Sequence, residues 1–173
     1  MPNETENNTV GFVCPCCSCN LVVVEKKKDS VNDNNENPSN GFVKPSDTWV
    51  SENFQWSETQ SKDGAETPVE LIPSIVQQAN YMEIIREAGG NKPLVVKSWY
   101  RSPSHNASKD VKGKPNSKHL EGIATDFYII GMLHKQVYDI VQSLIDLKKI
   151  PEGGLSLYSW GVHYDSRGYK GRW

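Results

Sequence analysis

Long apolar runs are missing from this sequence. None comes near the roughly 18 residues that a membrane-crossing helix needs, and the first residues lack a basic patch followed by an apolar stretch. A transmembrane helix and a standard signal peptide are thereby excluded, and the expectation is a product made in the cytoplasm without a signal peptide. Excess charge is also missing: 19 Lys and Arg stand against 21 Asp and Glu, a formal net charge of -2. That gives no electrostatic case for a nucleic-acid partner or an anionic membrane surface, and neither is expected. Cysteine is absent beyond position 19, because all 4 (Cys14, Cys16, Cys17, Cys19) sit in one short stretch. No disulfide is available to staple the rest of the chain. The two-residue gaps from Cys14 to Cys17 and from Cys16 to Cys19 match a zinc knuckle, yet the second pair that a zinc ribbon uses is not there. A second zinc held by these four thiolates and a reduced cysteine-rich tail are the two readings.

What is present falls into three parts. Residues 1–24 form a cysteine-rich segment in which short apolar runs around the cysteines, Gly11-Phe12-Val13 and Leu21 to Val24, suit a small hairpin. Residues 25–47 are Lys, Asp, Asn, Glu, Ser and Pro with few apolar positions, the composition of a flexible, disordered linker. Residues 48–173 carry the apolar periodicity of one folded domain. Leu71, Ile72, Ile75, Val76, Ala79, Met82 and Ile85 predict a helix from Glu70 to Ala88, with Pro73 in its first turn and Gly89-Gly90 at its end. Pro93 to Trp99 reads as a buried strand, Ser102 to Asn116 as a long polar loop, and Ile123 to Ile130 as a strand with Asp126 in its interior. His134 to Lys148 predicts a second amphipathic helix, and Leu155, Leu157, Val162 and Tyr164 predict a closing antiparallel hairpin. The order predicts an α+β domain, a small antiparallel sheet with flanking helices.

The candidate chemistry lies at His119, Asp126 and His163. Two histidines and an aspartate can hold one zinc ion and leave a fourth position open, which a hydrolytic zinc needs. Gly122 and Ala124 are small and let the backbone pass close to such a site. An aspartate inside a strand beside Phe127 is costly to bury unless a positive partner meets it, and zinc is such a partner. His105 and His134 read as solvent-facing. Trp99, Tyr100, Tyr158 and Trp160 suit either the wall of a peptide groove or the core.

The motifs around these residues are similar to those of a known family. Ser98-Trp99-Tyr100-Arg101-Ser102-Pro103 with Asn106, the segment from Ser117 to Asp126, Gly154 to Tyr158, and Val162-His163-Tyr164-Asp165 resemble the successive motifs of the zinc D-alanyl-D-alanine peptidases. These peptidoglycan carboxypeptidases and endopeptidases share a fold with the Hedgehog signalling domain. Val50 to Glu58 resembles the entry segment of the branch found in bacteria and their phages, and Arg172-Trp173 resembles its C-terminal signature. The resemblance implies His119, Asp126 and His163 as zinc ligands, and Arg101 as the cation that holds a substrate carboxylate or the developing oxyanion. Ser117 is a further candidate for hydrogen-bonding substrate or a ligand.

Members of the family place an acid three residues before the last zinc histidine, or a second histidine two before it. Here those positions are Trp160 and Gly161, and neither accepts a proton. Asp165, two residues after His163 on the same strand face, is the candidate catalytic base, orienting the water, or else it holds the imidazole. Its structural rival is pairing with Arg167 or Arg172. The expected function is zinc-dependent hydrolysis of amide bonds at D-amino acids in peptidoglycan peptides, as in a phage lysis enzyme that reaches the wall after release or as a virion component. A noncatalytic, zinc-containing cell-wall-binding module of the same fold is the alternative, and a third reading makes the cysteine segment the working part.

Overall fold

A computed structural model describes Phe12–Val13, Asn20–Leu21 and residues 48–173. The four cysteines and the linker expected over 25–47 lie outside the described residues. In the N-terminal unit β1 (Phe12–Val13) pairs antiparallel with β2 (Asn20–Leu21), Phe12 opposite Leu21, in line with the expected hairpin.

The second unit begins with a short α1 (Trp56–Thr59), followed by a 3-10 turn at Val69–Leu71 that leads into α2 (Ile72–Ala88). Pro73 is tolerated in the first turn of α2 because the N–H it lacks would have no intrahelical partner there. Ile75, Ala79, Met82 and Ile85 repeat at three- and four-residue intervals, so one stripe is fully buried. Gly90, at φ +78, supplies the left-handed residue that ends the helix. α4 (His134–Asp146) buries Val137, Val141 and Ile145 by the same logic.

Five strands make the sheet: β3 (Leu94–Ser98), β4 (Ala124–Ile129), β5 (Gly154–Tyr158), β6 (Gly161–Asp165) and β7 (Gly171–Arg172). Their spatial order is β3-β4-β6-β5-β7. Every pairing is antiparallel except β5 with β7, which is parallel. The α+β class is therefore as expected, with one parallel edge strand added. The polar stretch from Ser102 to Asn116 also differs from expectation, since it contains α3 (Pro103–Ala107). The Ser102 hydroxyl accepts from the His105 amide at 3.0 Å and Pro103 occupies the first turn, a local start signal inside an otherwise loop-like composition.

Strand alternation sorts the sheet into two faces. Thr125 lies opposite Tyr164, and Phe127 opposite Val162. Phe127, Leu155, Val162 and Tyr164 belong to the apolar core together with the buried stripes of α2 and α4. The opposite face carries Asp126 opposite His163, with Ser156 beyond it on β5. Asp126, Ser156, His163 and Asp165 are all buried, so this face has to satisfy polar groups where the other satisfies area.

Candidate metal centre

Each histidine is held by a hydrogen bond on the side away from its neighbours. His119 sits in a 3-10 turn, Lys118–Glu121, that closes on Gly122 at φ +73. A Cβ at Gly122 would lie 2.8 Å from Ile75 Cγ1, so both conformation and space require glycine. Trp99 fixes this turn twice: its indole Nε1 donates to Gly122 O at 3.0 Å, and its carbonyl accepts from His119 Nδ1 at 2.6 Å. With Nδ1 as the donor, Nε2 keeps its lone pair and lies 3.3 Å from Asp126 Oδ1. His163 is reversed. Its Nε2 is 3.0 Å from Asp165 Oδ2, and its Nδ1 is 2.7 Å from Asp126 Oδ1.

The three residues fit a zinc ion by chemistry, and His163 Nδ1, now 2.7 Å from Asp126 Oδ1, would have to move back by less than about 1 Å to take a ligand position. Bonds of about 2.0–2.2 Å at tetrahedral angles separate neighbouring ligand atoms by about 3.3–3.6 Å. His119 Nε2 and Asp126 Oδ1 already have that spacing, and one ligand atom from each of the three residues lies within 4.8 Å of the others. The imidazole nitrogens turned outward are both hydrogen-bonded, one to a carbonyl and one to a carboxylate, as metal-binding histidines are oriented.

The electrostatics show how strongly this buried cluster depends on opposite charge. Burial alone would raise the Asp126 carboxyl, but its bonds to His119 and His163 outweigh that and hold it well below the usual carboxylate range. Burial pushes the His119 imidazole down. Burial acts the same way on His163, yet the carboxylates of Asp126 and Asp165 on its two nitrogens outweigh it and raise it.

Arg101 pairs through Nη2 with Asp126 Oδ2, and its Nε donates to Ser98 Oγ at 2.8 Å. It lines a cleft of about 490 Å³ together with Ser117, His119, Asp126 and His163. The structure thus brings together four of the expected chemical residues and Ser117. A register shift between Val96 and Ser98 bends β3 just before Arg101, as bulges beside sites do.

Asp165 is placed differently. It is fully buried and does not line the cleft. Oδ2 accepts from His163 Nε2 and from Arg167 Nη2 at 2.5 Å; Oδ1 accepts from Arg167 Nε at 2.6 Å and from the Gly154 amide at 3.1 Å. Both oxygens are taken up by these partners and neither faces the cleft, so the geometry does not place Asp165 as the base expected from the sequence. Of its expected roles, this geometry serves holding the imidazole and pairing with Arg167. Arg172 is engaged elsewhere, with Glu152 Oε1, Gln142 Oε1 and Gly153 O.

His105 and His134 stay outside the cluster, and both are half-buried rather than solvent-facing. Trp99 and Tyr100 are core; Tyr158 lines the cleft and Trp160 stacks on it. The sequence gives no weight to Arg167 or to Trp173 as cleft residues, yet both line it. Their route there is the two-residue strand β7 and the turn before it, which are too short to show periodicity.

A family model, peptidase M15, matches residues 48–165, a span that holds all three metal-site residues, Arg101, Ser117 and Asp165. The chain belongs to the M15 peptidase family. Its members are zinc-dependent, so this M15 peptidase is a metallopeptidase by family, and its His119, Asp126 and His163 form a candidate metal site by geometry. No curated protein matches the chain.

Proposed function

We propose that this M15 chain hydrolyses amide bonds at D-amino acids in the peptides of bacterial peptidoglycan. The observation that carries the proposal is the cluster of His119 Nε2, Asp126 and His163 Nδ1 on the floor of a cleft whose nearest cation is Arg101. These three residues would hold a zinc ion, which when bound would supply a water of pKa about 7 and a Lewis acid for the scissile carbonyl. Arg101 presents a planar guanidinium to a substrate carboxylate or to the oxyanion, at a position fixed by Ser98 and Asp126. Ser117, at the cleft rim, hydrogen-bonds the peptide. Asp165 and Arg167 act through His163: the carboxylate keeps its Nε2 protonated so that Nδ1 faces the metal. The substrate lies outside the cytoplasm, so the proposal includes release to the wall by a phage lysis route or as part of a virion.

One observation favours a second reading, a zinc-containing wall-binding module without catalysis. Among the described residues, Asp126 is the one side-chain carboxylate lining the cleft, and it belongs to the candidate metal site. A single experiment separates the two. Purified zinc-loaded protein is incubated with peptidoglycan and defined muropeptides, with and without chelator, and products are read by mass spectrometry. Peptide release by the wild type that chelator and His119→Ala abolish supports the peptidase; tight sedimentation with peptidoglycan and no released peptide supports the module. Asp165→Ala is expected to retain weak activity, since its carboxylate handles no substrate proton.

A further inference from the structure

Two unlike sets of residues line the cleft. One is polar and basic: Lys114, Asn116, Ser117 and Lys118. The other is aromatic: Tyr158, Tyr169 and Trp173, and Trp160 extends it by stacking on Tyr158, with ring centroids 4.8 Å apart and planes 8° from parallel. Trp173 joins the row through Nε1, which donates to Tyr158 OH at 2.7 Å. The Trp173 ring lies 5.2 Å from the His163 imidazole, so the row runs from beside the candidate metal site to Trp160.

This row is built, and it is uncovered. Trp173 arrives on β7, whose Arg172 is clamped to Gly153, Gln142 and Glu152, and its carbonyl accepts from the Ser156 hydroxyl. Core aromatics fixed this firmly are buried, as Trp99 is at 0% exposure, whereas Trp160 is 41% and Trp173 57% exposed. Flat, accessible rings with polar edges and a guanidinium, Arg167, 5.5 Å from the Trp173 ring suit a ligand with one apolar face and a hydroxylated rim. A pyranose has that construction: axial C–H groups stack on the ring face while hydroxyls reach the polar edge. A plain peptide extending from the metal site offers no such face at every step.

We propose that Tyr158, Trp160 and Trp173 form a saccharide subsite that stacks a sugar of the glycan to which the scissile peptide is attached. The inference rests on the peptidase reading above and names a second part of the same substrate. Its test compares kcat/KM on one stem peptide with and without its N-acetylated disaccharide, in the wild type and in Trp160→Ala. The wild type is expected to favour the glycosylated substrate by about fivefold, the worth of one good aromatic contact, and Trp160→Ala is expected to bring that ratio close to one. Because the readout is a ratio within each protein, a general loss of activity does not imitate it. Equal kcat/KM on the two substrates in the wild type would overturn the subsite and leave the peptidase standing, as would a ratio untouched by Trp160→Ala. Cleavage of neither substrate would overturn the peptidase reading and the subsite with it.

Discussion

The two faces of the central sheet share strands and backbone hydrogen bonds, yet they are held by different physics. On one face Phe127, Leu155, Val162 and Tyr164 meet the stripes of α2 and α4, and their stabilisation scales with the apolar area removed from water. On the other, one residue out of step, Asp126, His163 and Asp165 are also buried and are held by paired charge and directed hydrogen bonds. A buried apolar face tolerates small changes of shape at modest cost, whereas a buried charged network fails when any member loses its partner. The chain thereby keeps rigid support directly behind the candidate metal site.

Substitutions on each face sharpen that contrast. Phe127→Ala, behind the site, is expected to cost about 3–5 kcal/mol of stability, read as a shift in the urea midpoint with the denaturant slope unchanged. His163→Ala, on the opposite face, is expected to lower kcat/KM at least about 100-fold while leaving a folded protein by circular dichroism, because Asp126 keeps Arg101 and Asp165 keeps Arg167. Asp165→Asn leaves the ligand set intact and removes the carboxylate that orients His163. Zinc affinity is expected to fall about 10- to 100-fold, as measured by competition with a chelator. Gly122→Ala acts at the seam, because it forces a Cβ at φ +73 toward Ile75 in the core while holding the turn of His119. It is expected to cost about 1–2 kcal/mol, seen as a lower melting temperature.

The same contrast explains what the sequence discloses. Apolar periodicity reports the area-driven face directly, so α2, α4 and the hairpin of β5 and β6 are legible within a few residues of their ends. The candidate metal site is legible for a different reason: His119, Asp126 and His163 are ligand types in the order of motifs that resemble a known family's, and the fold brings them together. Asp165 is legible as a neighbour of His163 on the same strand face, but its direction is not. Only the return of Arg167 across its carboxylate shows that it serves the imidazole. α3 is hidden because five residues carry too little periodicity, although Ser102 and Pro103 mark its start. Trp173 is hidden because its position depends on the parallel pairing of β7 with β5, a long-range contact that no local pattern encodes.

The central claim is that the polar face holds one metal ion at His119, Asp126 and His163. Zinc content per chain, measured by elemental mass spectrometry on wild type and His119→Ala purified side by side, tests it most directly. The expected result is one more zinc per chain in the wild type, a difference unaffected by any metal on the N-terminal cysteines. Equal zinc content in the two proteins would contradict it.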